Sequence, residues 1–357
     1  MTAVPAQLGV PLRGYTTLRL GGPASRFVSA ATADELVDAV RDAQADGEPL
    51  LVLGGGSNLV IGDGGFDGTV VHVATRGFEI ATDARGHTIL IVEAGEDWDS
   101  VVARTVAEGY GGLECMSGIP GLVGATPVQN VGAYGVEIAD LLYSVDLLDR
   151  RTGEVRTVSR SELGLSYRSS ALKNTDSAVV LRVRLGLHRD GRSSPVRYAE
   201  LARKLGVHLH SRLPAAPVRE AVLELRRGKG MVLDGRDHDT WSAGSFFTNP
   251  VLADHELPTV LERVSKRTPD PMPQYPAGAG HTKLSAAWLI ERAGFRRGYP
   301  GPGGRVSLST KHTLALTNRG RASTTDLLAL ARGVVDGVHS AFGVRLHPEP
   351  VLVNCQL

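Results

Sequence analysis

From Ser117 to Gly135 the chain reads SGIPGLVGATPVQNVGAYG, nineteen residues with five glycines and no charged side chain. A run this long, apolar and small is hard to explain as a connector. With Gln129 and Asn130 as its polar groups, it suits a planar ligand that presses against bare backbone and takes a few hydrogen bonds. A second run, Gly54-Gly55-Gly56-Ser57-Asn58, follows the strand predicted at Leu50 to Leu53 and resembles a turn whose N–H groups face a pyrophosphate. It is no dinucleotide fingerprint: Leu59 stands where G-x-G-x-x-G needs its last glycine, and Leu59-Val60-Ile61 reads as strand where a helix should open. Alone, the triple glycine reads equally as an ordinary turn; two such runs with strands between them favour a cofactor site. Glycine reaches 43 of 357 residues and aromatics only 5%, against a usual glycine share of ~7%. Loops that approach something closely with bare backbone are therefore expected to carry the function.

The rest of the composition narrows the class. With 42% hydrophobic and 22% charged residues and a mean hydropathy of -0.05, the chain reads as soluble and globular, and its length suggests two or three domains. No uncharged apolar run approaches the roughly 18 residues of a membrane helix, and Met1 to Val10 lack the layout of a signal peptide. Neither membrane insertion nor secretion is expected. Cys115 and Cys355 make no disulfide scaffold and no metal-ligand spacing, which suits a reducing cytoplasm. His208-Leu209-His210 and Asp237-His238-Asp239 also lack convincing ligand spacing, so no metal is expected. Residues 1–150 hold 8 Lys+Arg against 20 Asp+Glu, and the remainder 31 against 18. The second part is the one fit to meet an anion, but its basic residues are dispersed, without the patch or finger of a nucleic-acid binder.

Periodicity predicts helices over 33–46, opened by Thr32 and Glu35 as a capping box, and over 98–108, 217–227, 253–266, 283–293 and 324–341. The last is opened by Ser323 and closed by Gly343. Strands are predicted at 50–53, 69–73, 88–94, 143–149, 154–158, 179–187 and finally Val344 to Asn354, with Arg151-Thr152-Gly153 turning between two of them. The pattern is α+β and mixed, not alternating βαβ.

Seven stretches carry a specific resemblance: Thr16-Thr17-Leu18-Arg19-Leu20-Gly21-Gly22, Leu53 to Leu59, Gly118-Ile119-Pro120-Gly121 through Gln129 to Gly135, Tyr167-Arg168-Ser169-Ser170, Gly244 to Pro250, Lys283 to Ile290 and Pro348-Glu349. In this order, and over nearly the whole chain, they resemble the UDP-N-acetylenolpyruvoylglucosamine reductases, FAD enzymes of cell-wall precursor synthesis. The resemblance implies a fold of the vanillyl-alcohol-oxidase type: FAD-binding subdomains over 1–76 and 77–228, the strand 344–357 returning to the body, and a substrate-binding domain over 229–343. It places non-covalent FAD on both glycine runs. Gly54, Gly55, Gly56, Ser57 and Asn58 would lie near the pyrophosphate. Gly118, Ile119, Pro120, Gly121, Gly124, Gln129, Asn130, Gly132, Ala133 and Tyr134 would lie around the ribityl chain and ring. NADPH is the implied co-substrate, the enolpyruvyl ether of UDP-N-acetylglucosamine the implied substrate, and the cytoplasm the implied location. Tyr198 stands where the longer type of the family carries a tyrosine on a mobile loop. Lys229, Asn249 and Lys283 are candidates for the UDP group, although Gly230-Met231-Val232 departs from the Leu-Pro-Asp common in the family.

The chemistry of such a reductase sets requirements that residue types can meet. Hydride addition to the terminal enolpyruvyl carbon leaves an enolate that needs a charge stabiliser and an acid. Arg168 is the expected stabiliser, since a guanidinium stays charged and grips a carboxylate through two donors. Ser245 matches the family's proton donor; Gly244-Ser245-Phe246-Phe247 is not a hydrolase elbow, because Phe247 occupies the final glycine position. Glu349, held between Pro348 and Pro350, matches the third catalytic residue. A carboxylate would repel the developing charge, so Glu349 is expected to act protonated or to orient a neighbour, which requires a raised pKa. A different flavin oxidase of the same fold is disfavoured, because alcohol oxidation needs a base at the carbinol and no enolate acid.

Overall fold

The computed structural model describes residues 4–357. They group into two compact units: the first holds the chain up to Val10, Ala24–Gly55 and Phe66–Val232, and the second holds Pro11–Pro23, Gly56–Gly65 and Leu233–Leu357. The stretches 1–76 and 77–228 thus fall mainly in one unit rather than two. The C-terminal strand Val351–Val353 pairs in parallel with Leu59–Ile61, within the second unit.

Two sheets share the core of the first unit. In the smaller one the strand order is Gln7–Pro11, Pro23–Ala30, Phe66–Val73, Leu50–Leu53, and the last three are mutually parallel. Parallel strands need a crossover, and the helix Ala33–Ala45 supplies the one from Pro23–Ala30 to Leu50–Leu53, the two strands that flank Phe66–Val73. Thr32 Oγ1 accepts from the Glu35 N–H, while the Glu35 carboxylate reaches back to the Ala31 N–H. Its buried face is Leu36, Val37, Ala39, Val40 and Ala43, the stripe expected of one helical side packed on a sheet. The larger sheet is antiparallel, in the order Val155–Ser159, Leu142–Asp149, Ala178–Leu187, Thr88–Glu93, Phe78–Thr82. One continuous set of buried side chains, from Val28 and Leu36 through Trp98 and Val145 to Val218, fills the space between these elements.

The second unit is built around the helix Thr324–Phe342. Ser323 and Asp326 close a reciprocal capping box at its start, and Gly343, at φ 74°, ends it in the left-handed conformation that glycine adopts without a Cβ penalty. Around it lie the helices Leu257–Ser265 and Ala286–Arg292, a three-stranded antiparallel sheet (Val251–Ala253, His281–Leu284, Gln274–Pro276) and the hairpin Val306–Leu308 with Leu316–Asn318. Phe246, Phe247, Leu289, Leu327 and Phe342 lie at the centre of the core.

Three predicted elements come out shorter, each for a local reason. The helix expected over 253–266 begins at Leu257, where Pro258 fits the first turn, because Val251–Ala253 is drawn into the sheet. The helix expected over 283–293 begins at Ala286: His281–Leu284 pairs as a strand, and Ser285 caps the helix by accepting from the Trp288 N–H. The strand expected over 344–354 is reduced to Val351–Val353, since Pro348 and Pro350 have no N–H to give a ladder.

Trp98 connects this scaffold to the long glycine-rich run. Its side chain is fully buried, Nε1 donates to the Met116 carbonyl at 3.0 Å, and its backbone N–H donates to the Gly121 carbonyl at 3.0 Å. Trp98→Phe should leave the Met116 carbonyl buried without its donor and cost about 1–3 kcal/mol. Urea unfolding of the variant should show a lower midpoint at an unchanged slope.

Candidate functional site

The two glycine runs touch through bare backbone. Leu50–Leu53 delivers Gly54 and Gly55 to the run beginning at Gly118, and a methyl group on Gly55 would lie 2.8 Å from the Gly121 Cα. At Gly124 a methyl group would fall 2.5 Å from the Ala94 Cβ, and the Gly124 N–H donates to the Ala94 carbonyl at 2.9 Å. Gly54, Gly55, Ile119, Pro120, Gly121, Leu122 and Gly124 are each only partly buried. They form an accessible strip of first-unit surface that is poor in side chains, a surface that fits a long flat cofactor such as FAD. Gly56, Ser57 and Asn58 belong to the second unit. There Gly56, at φ 57°, packs so closely that a methyl group would meet the Tyr15 carbonyl at 2.1 Å, and the Asn58 carbonyl accepts from the Val351 N–H.

Further along the run, Asn130 is fully buried and its amide is committed to protein partners: Nδ2 donates to Glu137 and to the Ser166 carbonyl, and Oδ1 accepts from the Ala139 N–H. Its side chain therefore serves the loop's own structure. Gln129 is half-buried, and Gly132 and Ala133 pair with Val136 and Glu137 as a very short ladder. Tyr134 is buried, which pushes its phenol up to about 12. The Tyr198 ring meets it edge-on at 5.5 Å, and Lys229 Nζ lies 5.9 Å from its centre while pairing with Glu200 at 2.6 Å. The structure thus brings Tyr198, Lys229 and Tyr134 together, with Tyr198 at the residue that precedes the helix Ala199–Leu205. Arg168 lies in the same unit, at φ 52° in a turn closed by mutual Ser166 and Ser169 backbone bonds.

In the second unit, Ser245 and Glu349 ride on adjacent segments. The Glu349 N–H donates to the Phe246 carbonyl at 2.9 Å, and Phe247 bridges Pro348. On the other side the Phe246 N–H donates to the Leu314 carbonyl, which brings the Lys311–Leu314 turn alongside and places His312 Nε2 3.5 Å from Ser245 Oγ. His312 lies in no motif and carries no signal of its own in the sequence; the turn acquires meaning only when folded against Ser245. Lys283 stands on the strand His281–Leu284, paired with Val251, and Asn249, just before the strand Val251–Ala253, accepts through Oδ1 from the Ala286 N–H at the start of the helix Ala286–Arg292. Asp237 and Asp239 are engaged with Lys311, Thr310 and Arg319, and among the described residues no group of three His, Cys, Asp or Glu could hold a metal.

One charge governs the start of the long run. Asp99 takes two hydrogen bonds from Arg219, at 2.6 and 3.0 Å, and one from the Gly118 N–H at 2.6 Å. Burial pushes this carboxyl up, but the bonds from Arg219 and Gly118 outweigh it and hold it below the usual carboxylate range. A carboxyl depressed in the folded state stabilises the fold above its unfolded value, about 3.9, and loses that contribution as pH falls through the folded value. Asp99→Asn should therefore cost about 1–3 kcal/mol at neutral pH. Unfolding midpoints measured in series should show the gap to the parent narrowing below about pH 4.

Comparison with known proteins places these features in a family. Residues 236–353 match the C-terminal domain of UDP-N-acetylenolpyruvoylglucosamine reductase, and residues 24–159 match an FAD binding domain. A UDP-N-acetylenolpyruvoylglucosamine reductase of Saccharopolyspora erythraea is 67% identical over 98% of this chain and 96% of its own, and one of Nocardia farcinica is 56% identical over 100% and 92%. Among solved structures, the UDP-N-acetylenolpyruvylglucosamine reductase of Thermus caldophilus aligns over 98% of both chains at 26% identity with a TM-score of 0.65. With an FAD-binding domain around the glycine runs and the reductase C-terminal domain around Ser245 and Glu349, the chain belongs to the UDP-N-acetylenolpyruvoylglucosamine reductase family.

Proposed function

We propose that the chain reduces the enolpyruvyl ether of UDP-N-acetylglucosamine to UDP-N-acetylmuramate, with NADPH as reductant and non-covalently held FAD as carrier, in the cytoplasm. The observation that carries this reading is the bond from the Glu349 N–H to the Phe246 carbonyl, which pairs the segment that carries Ser245 with the segment that carries Glu349. The chemistry that FAD would supply when bound is hydride transfer, from NADPH to the terminal carbon of the enolpyruvyl group. Arg168 holds the substrate carboxylate, on which negative charge grows as the enolate forms. Ser245 gives its proton to the neighbouring carbon, a role that needs position more than an acidified hydroxyl. Glu349 acts in its protonated form or orients its neighbour, because a second negative charge there would oppose the enolate. Tyr198 and Lys229, brought together beside Tyr134, serve the diphosphate as hydrogen-bond donor and point charge, and Asn249 and Lys283 complete the nucleotide contacts.

Ser245 is needed only after the hydride has been delivered. Ser245→Ala should take up electrons from NADPH at close to the parental rate, yet return them to the enolpyruvyl substrate about 10² to 10⁴ times more slowly. Ser245→Cys should recover part of that loss, since a thiol keeps a transferable proton. Stopped-flow absorbance of the flavin band separates the two half-reactions; equal slowing of both would make Ser245 a pocket residue instead. The cofactor should also leave the protein on acid precipitation, with yellow colour in the supernatant. Colour retained by the washed pellet would indicate a covalent bond.

A further inference from the structure

Arg168 stands at the tip of a two-residue turn, a place where a long side chain has many rotamers open to it, yet its guanidinium is already held. Nη2 donates to the Gly132 carbonyl at 2.8 Å, Nη1 donates to the Asn130 carbonyl at 3.4 Å, and Nη1 lies 3.5 Å from Glu137 Oε1. From behind, Lys173 Nζ donates to the Arg168 carbonyl at 2.7 Å. Glu137 is itself fixed: Oε2 accepts from Asn130 Nδ2 at 2.8 Å, and its N–H donates to Asp140. Asn130 also donates to the Ser166 carbonyl, at the base of the Arg168 turn, and accepts from the Ala139 N–H. One buried amide therefore ties the glycine-rich run, the segment after Val136 and the Arg168 turn into a single frame.

We propose that Glu137 and Asn130 are positioning residues for Arg168: they set the guanidinium in place before the substrate carboxylate arrives. This inference rests on the functional reading above. Ordering a flexible side chain in advance removes an entropy cost from the bound state and keeps the geometry of the developing charge. The anchors engage Nη1 and Nη2, and Nε takes part in none of these three contacts. The Glu137 pair is long, at 3.5 Å, and both side chains are partly open to solvent, at 28% and 33%. A pair this loose orients the cation without neutralising it, because solvent screens most of the attraction.

The test uses the flavin-loaded enzyme with Glu137→Gln, which keeps an oxygen to accept from Asn130 and removes only the charge. Reduction by NADPH should stay within about twofold of the parent, while reoxidation by the enolpyruvyl sugar nucleotide slows about 10- to 100-fold, the scale of a misplaced catalytic group. Calorimetric titration of the oxidised enzyme should show weaker binding of the same sugar nucleotide, and the flavin content and melting temperature should match the parent. Combining Glu137→Gln with Arg168→Lys should add nothing to the loss from Arg168→Lys alone. Parental reoxidation and parental binding in Glu137→Gln overturn the inference, as does equal slowing of both half-reactions. If Glu137→Gln loses flavin or melts early, Glu137→Asp decides: it keeps the charge, so a return of flavin without faster reoxidation also overturns the inference. Failure of the parent enzyme to be reoxidised by the sugar nucleotide overturns the functional reading and this inference with it.

Discussion

The close approach of Gly55 to Gly121 is the contact on which the cofactor surface depends. At 2.8 Å from a backbone atom there is no room for a Cβ at Gly55, so two loops far apart in sequence can lie against one another only where side chains are missing. Each loop reaches that contact from a rigid element. The strand Leu50–Leu53, parallel to Phe66–Val73, delivers the first, and the Trp98 side chain and backbone fix the second through Met116 and Gly121. Asp99, one residue further along the same helix, binds the Gly118 N–H. With its first two residues the helix Trp98–Ala107 thus ties down the long run at Gly118 and Gly121, and the residue just before the run at Met116.

Strain collects where the chemistry is assigned. Among the described residues, seven non-glycine positions have positive φ, and Asn130, Tyr134 and Arg168 are three of them. Such a conformation costs an L-residue of order 1 kcal/mol or more and persists only when its surroundings determine it several times over. Asn130 meets that condition through three side-chain bonds, and Arg168 through the Ser166–Ser169 turn and the Lys173 bond to its carbonyl. The amide that reads from sequence as a ligand group for FAD is spent on holding this conformation.

Elements whose signals are local were legible. The helices Ala33–Ala45 and Thr324–Phe342 announce themselves through caps and a periodic apolar face, and the larger sheet through apolar runs broken by turn residues such as Arg151-Thr152-Gly153. Short strands were not. Gln274–Pro276 and His281–Leu284 are too brief and too polar to show a period, and they exist because they pair with each other and, through the latter, with Val251–Ala253. For the same reason Lys283 reads as the start of a helix and stands on a strand.

The site follows the same division. Composition exposes the glycine runs, because absence of side chains is visible in any window of sequence. Ser245, Arg168 and Glu349 are ordinary residues in their windows, and only the family resemblance singles them out. Glu137 and His312 escape both routes. Their significance comes from what they face: Glu137 faces a guanidinium held by two loop carbonyls, and His312 faces a hydroxyl set by the bonds on either side of Phe246. A residue that acts by orienting another leaves no pattern in its own neighbourhood, since its partner lies tens of residues away and the spacing between them is set by the fold alone. Such residues become legible only once hydrogen bonds can be followed outward from a group whose chemistry is already required, as the path from Arg168 through Glu137 to Asn130 can be followed here.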